Sequence, residues 1–283
     1  MNAQSDLVSR LNIASWKLRF FRRYARRFIA KNFHSVRLLN AVPEKDTDRP
    51  KADAMSRIST IFADQTDNSG PLVIAANHPS WWDPMVAIFL AEKFAKQRRH
   101  YAPIEDVMLE RYGIFKNLGF YGVEKDTAKG LKDFLHVGNH ILEQADSVIW
   151  MTPEGNFTDP RVRPISIKKG LASLVSKNTK AKVLPLAIEY TFWNEKKPEI
   201  LVHAGKLISA ENIPSNDNPS STLTKRLHEE IQTQMQLAID DLASFSQQRN
   251  PQHFSSLLGG SAGVGGFYGW WQKLRGYDKE HMS

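Results

Sequence analysis

The chain has 283 residues, a formal net charge of +8 and no cysteine, with 41% hydrophobic and 24% charged residues. This length and composition suit one large globular α/β domain with appendages, or two small domains, and the lack of cysteine excludes disulfides, thiolate metal sites and cysteine nucleophiles. No run of 18 apolar residues and no signal-peptide core occurs, so we expect a cytosolic chain without a transmembrane helix.

The positive charge is concentrated near the N-terminus. Between residues 7 and 43 there are nine basic residues and no acidic one, whereas the rest of the chain is close to neutral. The nine are Arg10, Lys17, Arg19, Arg22, Arg23, Arg26, Arg27, Lys31 and Arg37. On a helix, aromatic side chains gather on one arc and most arginines, Arg22 among them, on the other. The aromatic arc comprises Trp16, Phe20, Phe21, Tyr24 and Phe28.

Residues 1–50 are therefore predicted to form a basic, amphipathic helical segment. An aromatic face beside a cationic face is typical of a helix that lies in a membrane interface and attracts anionic lipid. Alternatively, the helix packs its aromatic residues on the main domain while its arginines are solvated. Nucleic-acid binding is disfavoured, because no nucleic-acid motif and no second basic stripe follow. We expect peripheral attachment to an anionic membrane surface, at its cytoplasmic face.

The first predicted strand is the apolar run Leu72–Ala76, which ends in Asn77 and His78. Chemistry in an open α/β sheet is usually found at the carboxyl end of such a strand. Asp83 lies five residues after His78, so the pair meets only if residues 79–82 turn sharply, which their proline favours. A carboxylate on one imidazole nitrogen leaves the other free to accept a substrate proton. The alternative is a helix-capping Asp83 and a packed His78.

After Asp83, strands alternate with helices, which predicts an α/β domain over residues 51–246. Its sheet is expected to be mixed, mostly parallel and covered by helices on both faces. The predicted strands cover residues 101–104, 120–123, 147–151, 183–188 and 200–203, and the predicted helices cover 84–95, 127–145, 170–176 and 222–245. Pro185 lies inside one of these strands and argues for a sheet edge or a strand end.

Residues 247–283 form a Gly/Trp-rich C-terminal tail. Between residues 250 and 272 there are six glycines and no charged residue, and this glycine content disfavours a spanning helix. Tryptophan and basic residues at 270–275 suit an interfacial anchor, and a flexible tail over the active-site mouth is equally allowed. A Gly-x-Ser-x-Gly match at 259–263 has no predicted strand before it, so we do not interpret it as a nucleophile elbow.

Two motifs at strand ends remain, and together they point to a family. The chain resembles the lysophosphatidic acid acyltransferase-like family, also called glycerolipid or lysophospholipid acyltransferases, over about residues 70–205. Four sequence blocks occur in the family's order. They are similar to Asn77-His78-x4-Asp83, the stretch from Gly119 to Lys125, Pro153-Glu154-Gly155, and Val183-Leu184-Pro185.

The resemblance implies acyl transfer from acyl-CoA or acyl carrier protein to a hydroxyl of a lysophospholipid or related lipid, with no further cofactor and no metal. We expect His78 to take the proton from the acceptor hydroxyl, oriented by Asp83. Glu154 is the third predicted catalytic residue: backbone amides around it are candidates for stabilising the oxyanion, and its side chain orders the loop. Ser80 as a covalent nucleophile is the rival, ranked lower because the resemblance implies direct transfer.

Two departures from the family pattern bear on the acceptor. The substrate-binding residues that the blocks imply are Asn77, Lys125, Pro153 and Gly155. Lys125 and Phe157 stand where arginines are usual, and paired arginines are the expected clamp for a phosphate. Arg161 and Arg163 are predicted to compensate as substrate-binding residues, unless they are solvated loop charges. Without such a clamp the acceptor is less anionic: a glycolipid, an aminoacyl lipid or a lipid-linked alcohol.

Two other functions stay open at this point. A lipid ester hydrolase would use the same pair, His78 and Asp83. A non-catalytic lipid-binding protein would keep the fold without turnover.

Overall fold

The computed structural model describes residues 8–9, 11–40, 58–59, 61, 70–213 and 220–260. Within these ranges, nine strands form one sheet in the order β4-β3-β5-β2-β6-β7-β1-β9, with β8 paired to β6. The strands are β1 (Ser35–Leu39), β2 (Leu72–Ala76), β3 (Arg99–Glu105), β4 (Phe120–Val123), β5 (Ser147–Met151), β6 (Lys182–Thr191), β7 (Glu199–Ala204), β8 (Ile208–Ser209) and β9 (Phe254–Gly259). The helices are α1 (Ser15–Asn32), α2 (Asp83–Phe94), α3 (Asp106–Arg111), α4 (Ala128–Leu142), α5 (Gly170–Lys177) and α6 (Ser220–Gln247).

The sheet is mixed and mostly parallel, which confirms the predicted fold class. β2 lies between β5 and β6 and runs parallel to both. β3 and β4 continue the parallel part, whereas β7 is antiparallel to β6. Because β2 and β5 are parallel neighbours, the residues that follow them lie at the same edge of the sheet. The two sequence motifs that follow these strands are therefore brought together.

Both faces of the sheet are buried under helices. Side chains along a strand alternate between faces, so Val73 and Ala75 enter one core while Leu72 and Ile74 enter the other. The first core is completed by apolar residues of α4, α5 and α6, and the second by residues of α1 and α2. This double burial explains why the strand residues 72–76 are apolar without interruption.

The sheet also takes strands from the two flanking segments. β1 comes from residues 1–50 and pairs with β7, and β9 comes from residues 247–283 and pairs with β1. A strand thus does precede the Gly-x-Ser-x-Gly match, contrary to expectation, although it is an antiparallel strand at the end of the sheet. The residues from 261 onward, including the predicted tryptophan anchor, lie outside the described ranges.

Helix α1 packs against α2 and does not keep all its aromatic residues on one exposed side. Phe21, Ala25 and Ile29 are buried, whereas Trp16 and Phe20 are 70% and 67% exposed. One basic residue is also buried: Arg22 is 9% exposed, although the helical pattern placed it on the cationic side. The sequence pattern alone does not predict the burial of Arg22, because it does not show which side of α1 packs against α2. Among the described helices, none is both long and apolar enough to cross a bilayer.

Pro185 lies inside β6, which is a central strand, so the prediction of a sheet edge or a strand end was wrong. On one side of β6, β8 pairs with Val183 and β7 begins to pair at Leu186. The Pro185 carbonyl accepts the Gly205 N–H (2.9 Å) between these two pairings. In a β-strand, the backbone nitrogen and the carbonyl of one residue point to the same neighbouring strand. The missing N–H of Pro185 therefore faces the gap between β8 and β7, where no ladder hydrogen bond is lost.

Candidate active site

The structure brings the predicted histidine and aspartate into contact. His78 lies two residues after the end of β2, and Asp83 begins α2. The turn between them is closed by a hydrogen bond from the Asp83 N–H to the Ser80 carbonyl (3.2 Å). His78 Nδ1 lies 2.7 Å from Asp83 Oδ2. The Asp83 side chain is 5% exposed and the His78 side chain 21% exposed. The pair thus consists of a buried carboxylate and an imidazole that is partly accessible from outside the protein.

The Asp83 carboxylate has two further donors. Tyr190 donates its hydroxyl to Oδ1 (2.7 Å), and the Ser80 N–H donates to Oδ2 (3.2 Å). Burial raises the pKa of Tyr190 well above its usual value, with the Asp83 charge adding to the effect, so this hydroxyl stays protonated. An ionised carboxylate only accepts, so His78 donates from Nδ1 and keeps Nε2 free as a proton acceptor.

Tyr190 has no counterpart in the sequence interpretation. It lies in β6, beyond the predicted end of that strand at 188, and 107 residues separate it from Asp83. No local pattern indicates such a contact. Ser80, the predicted rival nucleophile, accepts the Trp82 N–H with its hydroxyl (3.3 Å), so both its hydroxyl and its backbone N–H help to hold the turn.

Glu154 contacts the backbone at the histidine, not its ring. Its Oε2 accepts the His78 N–H (2.7 Å), while the Thr158 N–H donates to the His78 carbonyl (3.0 Å). Burial raises the pKa of Glu154, and the His78 N–H partly offsets that rise. The sequence predicts Glu154 as a catalytic residue. These contacts give it a positioning role, because its carboxylate is occupied by the end of β2.

The side chain of Asn77 is also hydrogen-bonded to the backbone. Its side chain donates to the Ile188 carbonyl (3.0 Å) and accepts the Ile188 N–H (2.7 Å), and the residue is 2% exposed. The carboxamide thus joins the end of β2 to β6. Asn77 is predicted to bind substrate; in the structure its side chain is buried and both of its polar atoms are bound to β6.

Pro153 and Gly155 shape the loop that carries Glu154. The Pro153 carbonyl accepts the Lys168 N–H (2.7 Å), and Gly155 has a φ of +75°. A Cβ on Gly155 would come within 2.6 Å of Lys168 Cε. Glycine is therefore favoured here both by conformation and by space. Their predicted role in binding substrate gains no support from these contacts, which are internal to the loop.

The cationic residues predicted for the acceptor are each paired. Lys125 Nζ lies 2.7 Å from Asn156 Oδ1 and 2.7 Å from a Glu105 oxygen, so it reaches the Glu154 loop. Arg161 binds the neighbouring Asp159 and its side chain is 87% exposed. Arg163 donates to Asp240 on α6 through Nε (2.7 Å). The two arginines thus do not form a free clamp, and the structure favours the alternative of loop charges for Arg161.

Phe157 lies against the imidazole ring of His78. Its ring centroid lies 4.3 Å from that of His78, with an interplanar angle of 34°, and the residue is 57% exposed. The sequence singled out this position only as a departure from the family pattern. In the structure, this exposed aromatic ring lies directly beside the imidazole.

A cavity of about 110 Å³ lies beside His78 and Asp83. It runs between α2 and the strands, and its lining is mostly apolar. Its apolar lining includes Ala87, Ile88, Ala91, Ala102, Leu118 and Phe120. Within the described ranges, no cluster of three or more histidine, aspartate or glutamate side chains could hold a metal ion.

Comparison with known proteins places this site in a family. Residues 54–189, which contain His78, Asp83 and Glu154, match the family model described as Acyltransferase. This part of the chain belongs to the acyltransferase family. The resemblance found in the sequence is thereby confirmed.

A solved structure is also similar to this acyltransferase. It is the crystal structure of the 1-acyl-sn-glycerophosphate (LPA) acyltransferase PlsC from Thermotoga maritima, with 12% sequence identity and a TM-score of 0.45. The similarity covers 76% of this chain and 78% of that one. No curated protein matches the chain.

The hydrogen bond from Tyr190 to Asp83 generates a testable prediction. Replacing Tyr190 by Phe removes one donor to a buried carboxylate, which typically costs about 1–2 kcal/mol. Because this loss acts on the orientation of His78, we expect kcat for acyl transfer to fall about five- to thirtyfold while KM stays within about twofold.

Tyr112→Phe is the matched control, since its hydroxyl is not a partner of Asp83. Steady-state kinetics and thermal unfolding of both variants check the prediction. An unchanged kcat in Tyr190→Phe, or a rise in KM alone, would contradict the positioning role.

Proposed function

We propose that this acyltransferase moves a fatty acyl group from acyl-CoA or acyl carrier protein to a hydroxyl of a lysophospholipid or related lipid. The observation that carries the proposal is the 2.7 Å contact between His78 and buried Asp83 beside an apolar cavity. The pair supplies a proton acceptor, and the cavity supplies apolar surface beside it. The pair and all of the cavity lining except Leu18 and Arg22 lie in the part of the chain that matches the acyltransferase family.

In the proposed reaction, His78 Nε2 takes the proton of the acceptor hydroxyl as the hydroxyl oxygen bonds to the thioester carbonyl carbon. The carbonyl oxygen becomes an oxyanion, and the Asp83 carboxylate stabilises the imidazolium. When the oxyanion collapses, the C–S bond breaks, and the thiolate takes the proton back from His78. General-base help of this kind contributes on the order of 10²–10⁴ in rate. Backbone N–H groups near Gly155 are candidates for the oxyanion.

The cavity suits the acyl chain of the donor. Each buried methylene group contributes about 0.8 kcal/mol to binding, so an apolar lining holds the chain while its thioester lies at His78. Pro84 and Ile188 also line the cavity near the pair. An apolar surrounding strengthens the interaction between His78 and Asp83, because it lowers the local dielectric constant.

The acceptor is proposed to be less anionic than a phosphate monoester. Phe157 stacks on His78 where a phosphate-clamping arginine would be expected, and Arg163 is paired with Asp240. Lys125 supplies one positive charge near the loop, but it lacks the bidentate geometry of arginine. A glycolipid, an aminoacyl lipid or a lipid-linked alcohol fits this arrangement.

We also propose that the site faces an anionic membrane from the cytoplasmic side, as a peripheral protein. Trp16 and Phe20 of α1 are exposed, and so is Trp81 in the turn after His78 (49%). The contact between Phe28 and Trp82, with ring centroids 4.9 Å apart, joins α1 to that same turn. Exposed aromatic residues and nearby arginines together favour an interfacial position.

An assay with His78→Ala tests the proposed reaction. The protein is incubated with labelled acyl-CoA or acyl carrier protein and a panel of lysolipids, and the products are separated. We expect transfer in the native protein and at least a hundredfold loss in His78→Ala, because the general base is removed. His140→Ala, an exposed histidine on α4, serves as control and should keep full activity.

The products distinguish the other functions. Release of free fatty acid without acylated lipid would show a hydrolase. Binding of lysolipid with no turnover under any donor would show a lipid-binding protein. Either outcome would overturn the proposed transfer.

Vesicle sedimentation tests the membrane proposal. Binding should require anionic lipid and weaken as salt is raised, since charges on α1 are screened over a Debye length of about 8 Å at physiological ionic strength. The double variant Trp16→Ser/Phe20→Ser should bind less at every salt concentration. Equal binding to neutral and anionic vesicles, unaffected by salt, would refute the electrostatic part of the proposal.

A further inference from the structure

A buried arginine lines the same cavity as His78. Arg22 of α1 is 9% exposed, and its Nε has no hydrogen-bond partner in the part of the chain that the structure describes. Burial lowers its pKa, and the charge of Glu92 offsets this only in part. No ion pair of Arg22 occurs among the described residues. A cation held in this way in a mostly apolar cavity is unfavourable unless a ligand supplies an acceptor.

Three observations place Arg22 at the far end of the cavity from His78. Ala91 lines the cavity on α2, and Glu92, which follows it, interacts with Arg22. His100, also in the lining, is influenced by the charge of Arg22. From Asp83 to Ala91 the helix rises roughly 12 Å, at about 1.5 Å per residue. The cavity therefore has a proton-accepting group at one end and a cation at the other.

His100 lies at the same end but has no hydrogen-bonding capacity left. Its Nδ1 accepts the indole N–H of Trp150 (3.0 Å), so its Nε2 carries the proton and donates to the Ala95 carbonyl (2.8 Å). Burial lowers the pKa of His100 to about 4, which keeps the ring neutral. Arg22, by contrast, retains one buried donor without a partner among the described residues, its Nε–H. A guanidinium has no acceptor, so a ligand that pairs with it must supply an oxygen.

We propose that Arg22 makes the cavity selective for acyl chains that carry a hydrogen-bond-accepting oxygen near their distal end. A hydroxyl, keto or carboxylate group would meet the guanidinium, while the methylenes before it contact residues such as Ile88 and Phe120. A plain alkyl end would leave Nε of Arg22 buried without a partner. The inference rests on the proposed function, because it takes the chain that fills the cavity to be the acyl donor's.

Binding of fatty acid methyl esters tests this selectivity without any acyl transfer. The esters block the natural carboxylate, so that only the distal group differs. A series of chain lengths is titrated by calorimetry as plain esters, ω-hydroxy esters and dicarboxylic monoesters. We expect the native protein to bind the best oxygenated ester about ten- to a hundredfold more tightly than the plain ester of equal length.

Two variants separate the role of Arg22 from general packing. Arg22→Met should lose the preference for oxygen and bind the plain ester more tightly than the native protein does. Arg111→Met, which removes an exposed arginine outside the cavity lining, should keep the preference. If Arg22→Met fails to fold, the comparison of esters on the native protein still decides the question.

The results that would overturn the selectivity of the cavity differ from those that would overturn the proposed acyl transfer. Equal or tighter binding of plain esters by the native protein, or an unchanged preference in Arg22→Met, would overturn this inference. Acyl transfer could still occur in that case, with plain acyl donors. Selective binding of oxygenated esters by a protein without transfer activity would instead support the cavity selectivity and refute the proposed reaction.

Discussion

The carboxylate of Asp83 is almost completely removed from water, and three donors surround it: the imidazole of His78, the hydroxyl of Tyr190 and the backbone N–H of Ser80. A buried carboxylate without such partners would cost several kcal/mol. The donors come from the end of β2, from β6 and from the turn before α2. Three separate parts of the fold must therefore be in place before His78 has its orientation. Glu154 adds a fourth, since it fixes the backbone of the same histidine.

The parallel strands explain why these parts meet. The Glu154 loop follows β5, and His78 lies two residues after the end of β2. Because β2 and β5 are parallel neighbours, the loop and His78 lie at one edge of the sheet. α2 then leads away from that edge and forms one wall of the cavity. The same helix connects the two polar ends of the cavity, with Asp83 at its start and Ala91, near Arg22, two turns later. One packing arrangement thus holds both the reactive group and the proposed selectivity group.

Local features of the fold were predictable, and long-range ones were not. The bounds of β2, β4 and β5 match the predicted strands, because each is a short apolar run. The contact of His78 with Asp83 was predictable, because the two residues are five positions apart and the segment between them begins with a proline that favours a turn. Tyr190 and the burial of Arg22 were not, since each depends on a distant partner that no local pattern reveals. β1 and β9 were missed for the same reason: their pairing joins opposite ends of the chain.

The central claim is that Asp83 holds the proton of His78 on Nδ1 and leaves Nε2 as the acceptor. Nitrogen NMR of the protein labelled at histidine, with His78→Ala used to assign the signals, measures which ring nitrogen carries the proton in the neutral ring. The account predicts that Nδ1 of His78 is protonated and Nε2 is not. It also predicts that Asp83→Asn disturbs this state. A His78 ring protonated at Nε2, with the same signals in Asp83→Asn, would contradict it.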